Sequence, residues 1–228
     1  KRMADEGSNV VIAGRTEEKL KNAVRKIGKD ICTYITADIS MVNEHDRYFR
    51  EAEEQMGGLD AFVNAAAISL ESRGRGYEPW DINEEEWDEM SDTDFKAAFF
   101  LMRNEVNYLR GNGILGNILN IASNAPFMDV TGLYGASKQA VIRWTRSFGK
   151  RFGHDGIIIN GIAPGITATS FVSDYIIKNG SSFPRHAIER IIMPEEVAEL
   201  AAYCLGDRGV ILCGCTVVAD GGDAEAVF

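Results

Sequence analysis

The chain has 228 residues, 45% of them hydrophobic and 25% charged, and a formal net charge of −10, which suits one globular domain with a full core. That acidity, with no basic cluster to interrupt it, excludes a nucleic-acid-binding footprint and leaves the substrate unconstrained. No apolar run reaches the roughly 18 residues of a membrane span, and Lys1–Gly7 lacks the apolar core of a secretory signal.

In chain order, strands are expected near residues 9–13, 31–36, 59–63, 115–121, 157–161 and 215–219. Helices are expected near 16–27, 43–56, 84–111, 132–152 and 194–205. Alternation of this kind is the signature of a βαβ series and predicts an α/β fold with a doubly wound parallel sheet in three layers. Internal repeats and low-complexity stretches are absent, so residues 1–228 are expected to form a single domain. The four cysteines, at 32, 204, 213 and 215, make no disulfide framework, and Cys213-Gly-Cys215 lacks the two-residue gap of a zinc knuckle. Reduced thiols packed near strands, no metal site and a cytoplasmic location are the expectation.

The segment Tyr134-Gly-Ala-Ser-Lys138 carries the chemistry. On a helix, residues four apart share a face, so the Tyr134 phenol stands beside the Lys138 ammonium. A fixed cation favours the phenolate, which lets Tyr134 give or take a proton near neutral pH. Upstream, the apolar run Gly116–Ala122 reads as a buried strand that delivers Ser123 at its C-terminal end. Downstream, Gly156–Ala163 reads as a second buried strand ending in Pro164-Gly165. Ligands of open α/β sheets bind outside the carboxyl ends of the strands, so Ser123 and the Pro164-Gly165 turn should face one crevice.

Seven motifs stand in one order: Gly14-Arg15, Ala37-Asp38-Ile39, Val63-Asn64-Ala65-Ala66-Ala67, Ser123, Tyr134/Lys138, Asn160–Gly165 and Asp220-Gly221-Gly222. Together they resemble the short-chain dehydrogenase/reductase family over essentially the whole chain. The resemblance implies an NAD(P)-binding Rossmann domain that moves hydride between a nicotinamide cofactor and a carbonyl or alcohol substrate. A fold of that kind opens with a strand and a Gly-rich turn. Lys1–Gly7 instead reads as the end of the helix that would follow them, with Gly7 as its C-cap. The strand and turn are therefore expected upstream of residue 1, with that strand lying between those at 9–13 and 59–63.

The residue ending the second strand of such a fold selects the cofactor: a carboxylate binds a ribose 2′-hydroxyl, and a nearby Arg accommodates a 2′-phosphate. Gly14 followed by Arg15 favours NADP(H), with NAD as the alternative and a plain surface arginine beside the Thr16 N-cap as the bland reading. By resemblance, Asp38 and Ile39 border the adenine. Asn64, Ala65 and Ala66 approach the cofactor ribose. Pro164, Gly165 and Thr167, with Thr169 beyond, grip the nicotinamide carboxamide unless that threonine-rich stretch is only a helix start.

Tyr134 is implied as general acid/base. Lys138 lowers its pKa and holds the nicotinamide ribose, and Ser123 polarises the reacting oxygen. The family often places an Asn on its long fourth helix, seven residues after the Trp of a Glu-Trp start, to hold a water that serves the Lys. Glu86-Trp87 puts Asp94 there, adding a negative charge near Lys138. That substitution keeps open a catalytically weak or inactive, regulatory cofactor-binding relative. An unrelated Rossmann methyltransferase has no use for this Ser/Tyr/Lys set.

Residues 68–83, with Arg73 and Arg75, and 168–193, with Phe171, Tyr175, Ile176, Ile177 and Phe183, are expected to wall the substrate pocket. The two arginines either grip an acidic substrate or lie in a solvated loop. Apolar residues beyond one buried stripe on the helices near 84–111 and 132–152 (Phe95, Ala98, Phe99, Met102, Val106, Val141, Trp144 and Phe148) imply a homodimer or homotetramer in the family's manner, or else simply cover the sheet.

Overall fold

A computed structural model describes residues 1–68, 81–128, 132–169 and 172–224. Every expected strand forms, with bounds shifted by a few residues: β1 Val10–Gly14, β2 Cys32–Thr36, β3 Ala61–Asn64, β4 Gly116–Ile121, β5 Ile157–Pro164 and β6 Thr216–Ala219. All pairings are parallel, as crossover connections through helices require. The helices α1 Arg2–Asp5, α2 Glu17–Ile27 and α3 His45–Met56 belong to the first half. The second half carries α4 Glu84–Met90, α5 Ala98–Gly111, α6 Gly132–Phe152, α7 Ser173–Asn179 and α8 Pro194–Leu205.

The strands form two sheets: β1 with β2, and β3-β4-β5-β6 in that order. Between β1 and β3 lies a cavity of about 920 Å³ lined by residues 10–13 on one side and 61–66 on the other. No described strand pairs with either of the edges that face it. The two sheets are joined beneath the cavity by an aromatic cluster in which Phe49 of α3 lies 5.5 Å from Phe62 of β3 and 6.0 Å from Tyr108 of α5, ring centroid to centroid. Arg2 of α1 adds a 2.6 Å ion pair to Glu199 of α8.

The centre of the larger sheet is the best-packed part of the molecule. Met102, Val106 and Leu109 on α5 interlock with Ile118 of β4 and with Ile157 and Ile159 of β5, all at most 1% exposed. Removing such side chains from water contributes roughly 1.5–3 kcal/mol each. Their runs are largely apolar, broken by Asn117, Asn120 and Asn160, because helices cover both faces of a parallel sheet.

Two expectations change. The single helix near 84–111 is interrupted by a π-helical turn over Ser91–Ala97, between α4 and α5. Its start is secure, since the Asn83 side chain accepts from the Glu86 N–H at 2.9 Å and the Glu86 carboxylate accepts from the Asn83 N–H, a reciprocal capping box. The extra residue of a π turn re-aims the side chains around it, and here Thr93, Asp94 and Ala97 point inward. The other change is α7, which forms within the expected loop wall at 168–193. The cysteines are free; Cys32 and Cys204 are buried as expected, while Cys215 is exposed.

Candidate active site

Parallel topology brings the carboxyl ends of the strands to one rim, and nearly all the described candidate residues lie there or on α6. Gly14 ends β1, Asn64 ends β3 and Pro164 ends β5. Ser123 follows β4, where backbone bonds from Ala122 N–H to the Ile162 carbonyl (2.7 Å) and from Asn124 N–H to the Pro164 carbonyl (2.9 Å) fix its turn. The Ser123 Oγ accepts the Ala125 N–H at 3.1 Å, so its own proton is left for another acceptor.

Helix α6 carries Tyr134 and Lys138 on one face, with the Lys138 Nζ 5.4 Å from the centre of the Tyr134 ring. The π turn supplies the third group: Asp94 Oδ2 lies 3.9 Å from Lys138 Nζ, and both side chains are almost wholly buried. Asp94 Oδ1 accepts the Ile68 N–H at 3.0 Å, while Oδ2 has no hydrogen-bond partner. Burial pushes the Asp94 carboxyl above its ordinary range, opposed by Lys138 and by the Ile68 N–H. Burial likewise pushes the Lys138 amine down, opposed by Asp94. Each group thus supports the other's charge where isolated charges are costly.

The nucleotide end is shallower. A cavity of about 230 Å³ is lined by Gly14, Arg15, Asp38, Ile39, Ala65, Ala66, Ala67 and Thr93, and it shares Ala65 and Ala66 with the larger cavity that reaches Lys138. Arg15 is exposed and makes no hydrogen bond or ion pair with the described residues. Glu17, near enough in sequence to compete for it, is occupied by the Tyr34 hydroxyl at 2.9 Å and by Lys21 at 3.0 Å. The Thr16 hydroxyl makes no cap bond, so the N-cap expectation is met in position only. Asp38 closes its own turn, accepting the backbone N–H and the hydroxyl of Ser40 through Oδ1.

At the other side of the rim, Gly165 passes so near Asp220 that an added Cβ would lie 2.9 Å from the Asp220 Cα, a contact only glycine tolerates. The Thr167 hydroxyl donates to the Gly165 carbonyl at 2.9 Å, and Thr169 is exposed. Residues Arg73, Arg75 and Phe171 lie outside the described residues.

Several buried polar residues had no role in the sequence reading. The Asn64 amide donates to Glu105 Oε2 at 2.9 Å and to Asn120 Oδ1 at 3.0 Å, and Asn120 donates to Thr145 Oγ1 at 3.0 Å. The Asn64 side chain is therefore committed to the interior, and burial lifts the Glu105 carboxyl to about 7. Glu105 shares one helical face with Met102, Val106 and Leu109, so a lone carboxylate on an apolar stripe was a readable signal. The surroundings of Asp223, at the C-terminal end of β6, carried no such signal.

Ser123 thus follows β4 at the rim of the parallel sheet, and Tyr134 and Lys138 share a face of α6. A family model described as enoyl-(acyl carrier protein) reductase matches residues 1–223, and the chain belongs to the short-chain dehydrogenase/reductase family. It is 30% identical to the A-factor type γ-butyrolactone 1′-reductase (1S-forming) of Streptomyces virginiae, over 96% of this chain and 87% of that one. An uncharacterized oxidoreductase of Staphylococcus aureus strain MRSA252 is 28% identical over 88% of this chain and 81% of its own length. A crystal structure of a short-chain dehydrogenase from Bacillus anthracis superposes with a TM-score of 0.85 at 25% identity, covering 100% of this chain and 90% of that one. No described helix is long and apolar enough to cross a membrane.

Proposed function

We propose that this chain is an NADP(H)-preferring reductase of carbonyl compounds, or dehydrogenase of the corresponding alcohols. The carrying observation is the buried Lys138 ammonium, held between the Tyr134 ring and the Asp94 carboxylate. Tyr134 delivers the proton to the carbonyl oxygen during reduction and removes it during oxidation. Lys138 lowers the cost of the phenolate, and Asp94 keeps Lys138 charged despite its burial. Ser123 donates its free hydroxyl proton to the reacting oxygen, a contact that strengthens as charge develops there.

The residues present fit a dinucleotide: small side chains line the smaller cavity, and Arg15 beside it is a cation that no described residue engages. Asp38 and Ile39 would border the adenine, Arg15 the 2′-phosphate, Ala65 and Ala66 the ribose, and Pro164, Gly165, Thr167 and Thr169 the carboxamide. When bound, the nicotinamide supplies or accepts the hydride. Half-buried aromatic residues on the π turn, α5 and α6 (Phe95, Phe99, Trp144 and Phe148) favour association of two or four copies through these helices.

Purified protein offered aldehydes, ketones and an A-factor-type γ-butyrolactone, the class in the name of the Streptomyces virginiae relative, should oxidise NADPH faster than NADH. The second reading, a regulatory relative without turnover, draws on Asp94 standing where the family often has Asn, its Oδ2 without a hydrogen bond among the described residues. Tight NADPH binding with no turnover across that panel would favour it and sink the reductase.

A further inference from the structure

Outside the Ser/Tyr/Lys/Asp group, one buried carboxylate gathers three elements that are far apart in sequence. The Asp223 side chain is 0% exposed. Its Oδ1 accepts Arg185 Nε at 2.6 Å, and its Oδ2 accepts Arg185 Nη2 at 2.9 Å and Asn124 Nδ2 at 3.0 Å. Arg185 lies between α7 and α8, Asp223 follows β6, and Asn124 is the neighbour of Ser123. A bidentate guanidinium–carboxylate pair fixes orientation as well as distance. Fully desolvated on the carboxylate side, it is costly to break from either end.

The turn that presents Asp223 is built for close approach. Gly222 adopts φ +81°, and an added Cβ there would lie 2.8 Å from the Ala187 Cβ. Asp220 holds the same turn by accepting the N–H groups of Gly222 and Ala224. Residues 181–192 in turn lie along the proposed carboxamide-binding stretch, with Ile192 N–H bonded to the Ile166 carbonyl and Ala168 N–H to the Ile192 carbonyl. His186, also buried, has its Nδ1 2.7 Å from the Arg190 carbonyl, so Nδ1 carries a proton. Its Nε2 lies 3.9 Å from Asp223 Oδ2 without a hydrogen bond.

We propose that Asp223 is a positioning residue: it clamps residues 181–192 to the Ser123–Asn124 turn and thereby sets the affinity for the carbonyl substrate. The link to substrate rests on the proposed function; the clamp itself does not. Arg185 is the better residue to change, because its side chain is 56% exposed and its removal leaves no buried cavity.

Arg185→Ala should raise hydrogen exchange at residues 181–192, measured without ligands, by about tenfold or more. With the best carbonyl from the panel it should raise KM by about tenfold, leave kcat within about threefold and leave NADPH affinity within about twofold, the pattern of lost substrate positioning. Arg185→Lys, which keeps one charged donor, should restore part of both losses. Exchange unchanged in Arg185→Ala would overturn the clamp. Raised exchange with unchanged KM would overturn its role toward substrate, and so would equal losses of carbonyl and NADPH binding. A parent protein that reduces no carbonyl would sink the proposed function and with it the substrate role, leaving exchange to decide the clamp.

Discussion

The two halves of the sheet differ in how they are held. In the larger sheet, β4 and β5 place Ile118, Leu119, Ile157, Ile159, Ile162 and Ala163 at 0–1% exposure, with helices on both faces. Around the larger sheet the bonds span the chain: the catalytic candidate Asp94 to Ile68, the cofactor candidate Asn64 to Glu105, and Asn124, the neighbour of Ser123, to Asp223. Beside β1 and β2, Asp38 is held by Ser40 and Tyr48, and Arg15 bonds none of the described residues. The proposed proton transfer demands geometry to a fraction of an ångström, which elements covered on both faces can supply. Recognition of a phosphate by a long arginine tolerates a looser frame.

This contrast can be broken most severely at Tyr134. Tyr134→Phe should lower turnover by about a hundredfold or more while leaving the cofactor dissociation constant within about twofold, since it removes a proton and little volume. Cofactor titration and steady-state rates measure both, and a parallel loss of cofactor binding would make Tyr134 a packing residue.

Glu105 tests how tightly the catalytic half is sealed. Its carboxyl, lifted from an ordinary 4.5 to about 7, keeps its proton in the folded chain over a range where the unfolded chain loses it. Folding stability from this group is therefore undiminished below pH 4.5, falls between 4.5 and 7, and stays lower above. Glu105→Gln can still accept from Asn64 and should gain about 2–3 kcal/mol over the parent at pH 8, with no gain at pH 4. Urea unfolding at the two pH values checks this; an offset independent of pH would show that Glu105 does not titrate in this range.

At the looser nucleotide end a smaller effect is expected. Arg15→Ala should weaken NADPH binding by roughly tenfold and leave NADH nearly unchanged, the loss of one charge-assisted phosphate contact. Equal weakening of both would make Arg15 an ordinary surface residue.

The subtlest change concerns Asp94. An Asn there can still accept the Ile68 N–H, so the fold should survive. Removing the anion makes the first deprotonation of the coupled Lys138/Tyr134 pair easier, whichever group yields the proton. The basic limb of the oxidation rate should accordingly move to lower pH in Asp94→Asn. A profile that overlays the parent's would take Asp94 out of the proton path.

Periodicity and local chemistry determined much of this protein without a structure. Apolar runs bounded by glycine, such as Gly116–Ala122, become strands because both of their faces must be covered, and that requirement is written residue by residue. The four-residue spacing of Tyr134 and Lys138 is likewise a property of helices, not of any particular fold. Seven motifs in order were enough to indicate the family. Tertiary structure alone decided the rest. The Glu86-Trp87 spacing put Asp94 near Lys138, but the π turn that carries it there depends on what Thr93, Asp94 and Ala97 pack against, and helix periodicity contains no trace of that turn. The partners of the Asn64 amide, Asn120 and Glu105, arrive from β4 and α5. Asp223 had no role in the sequence reading; the meeting of Arg185 and Asn124, 38 and 99 residues away, makes it a buried anchor. Contacts at such separations are set by how the layers pack, which local sequence does not encode.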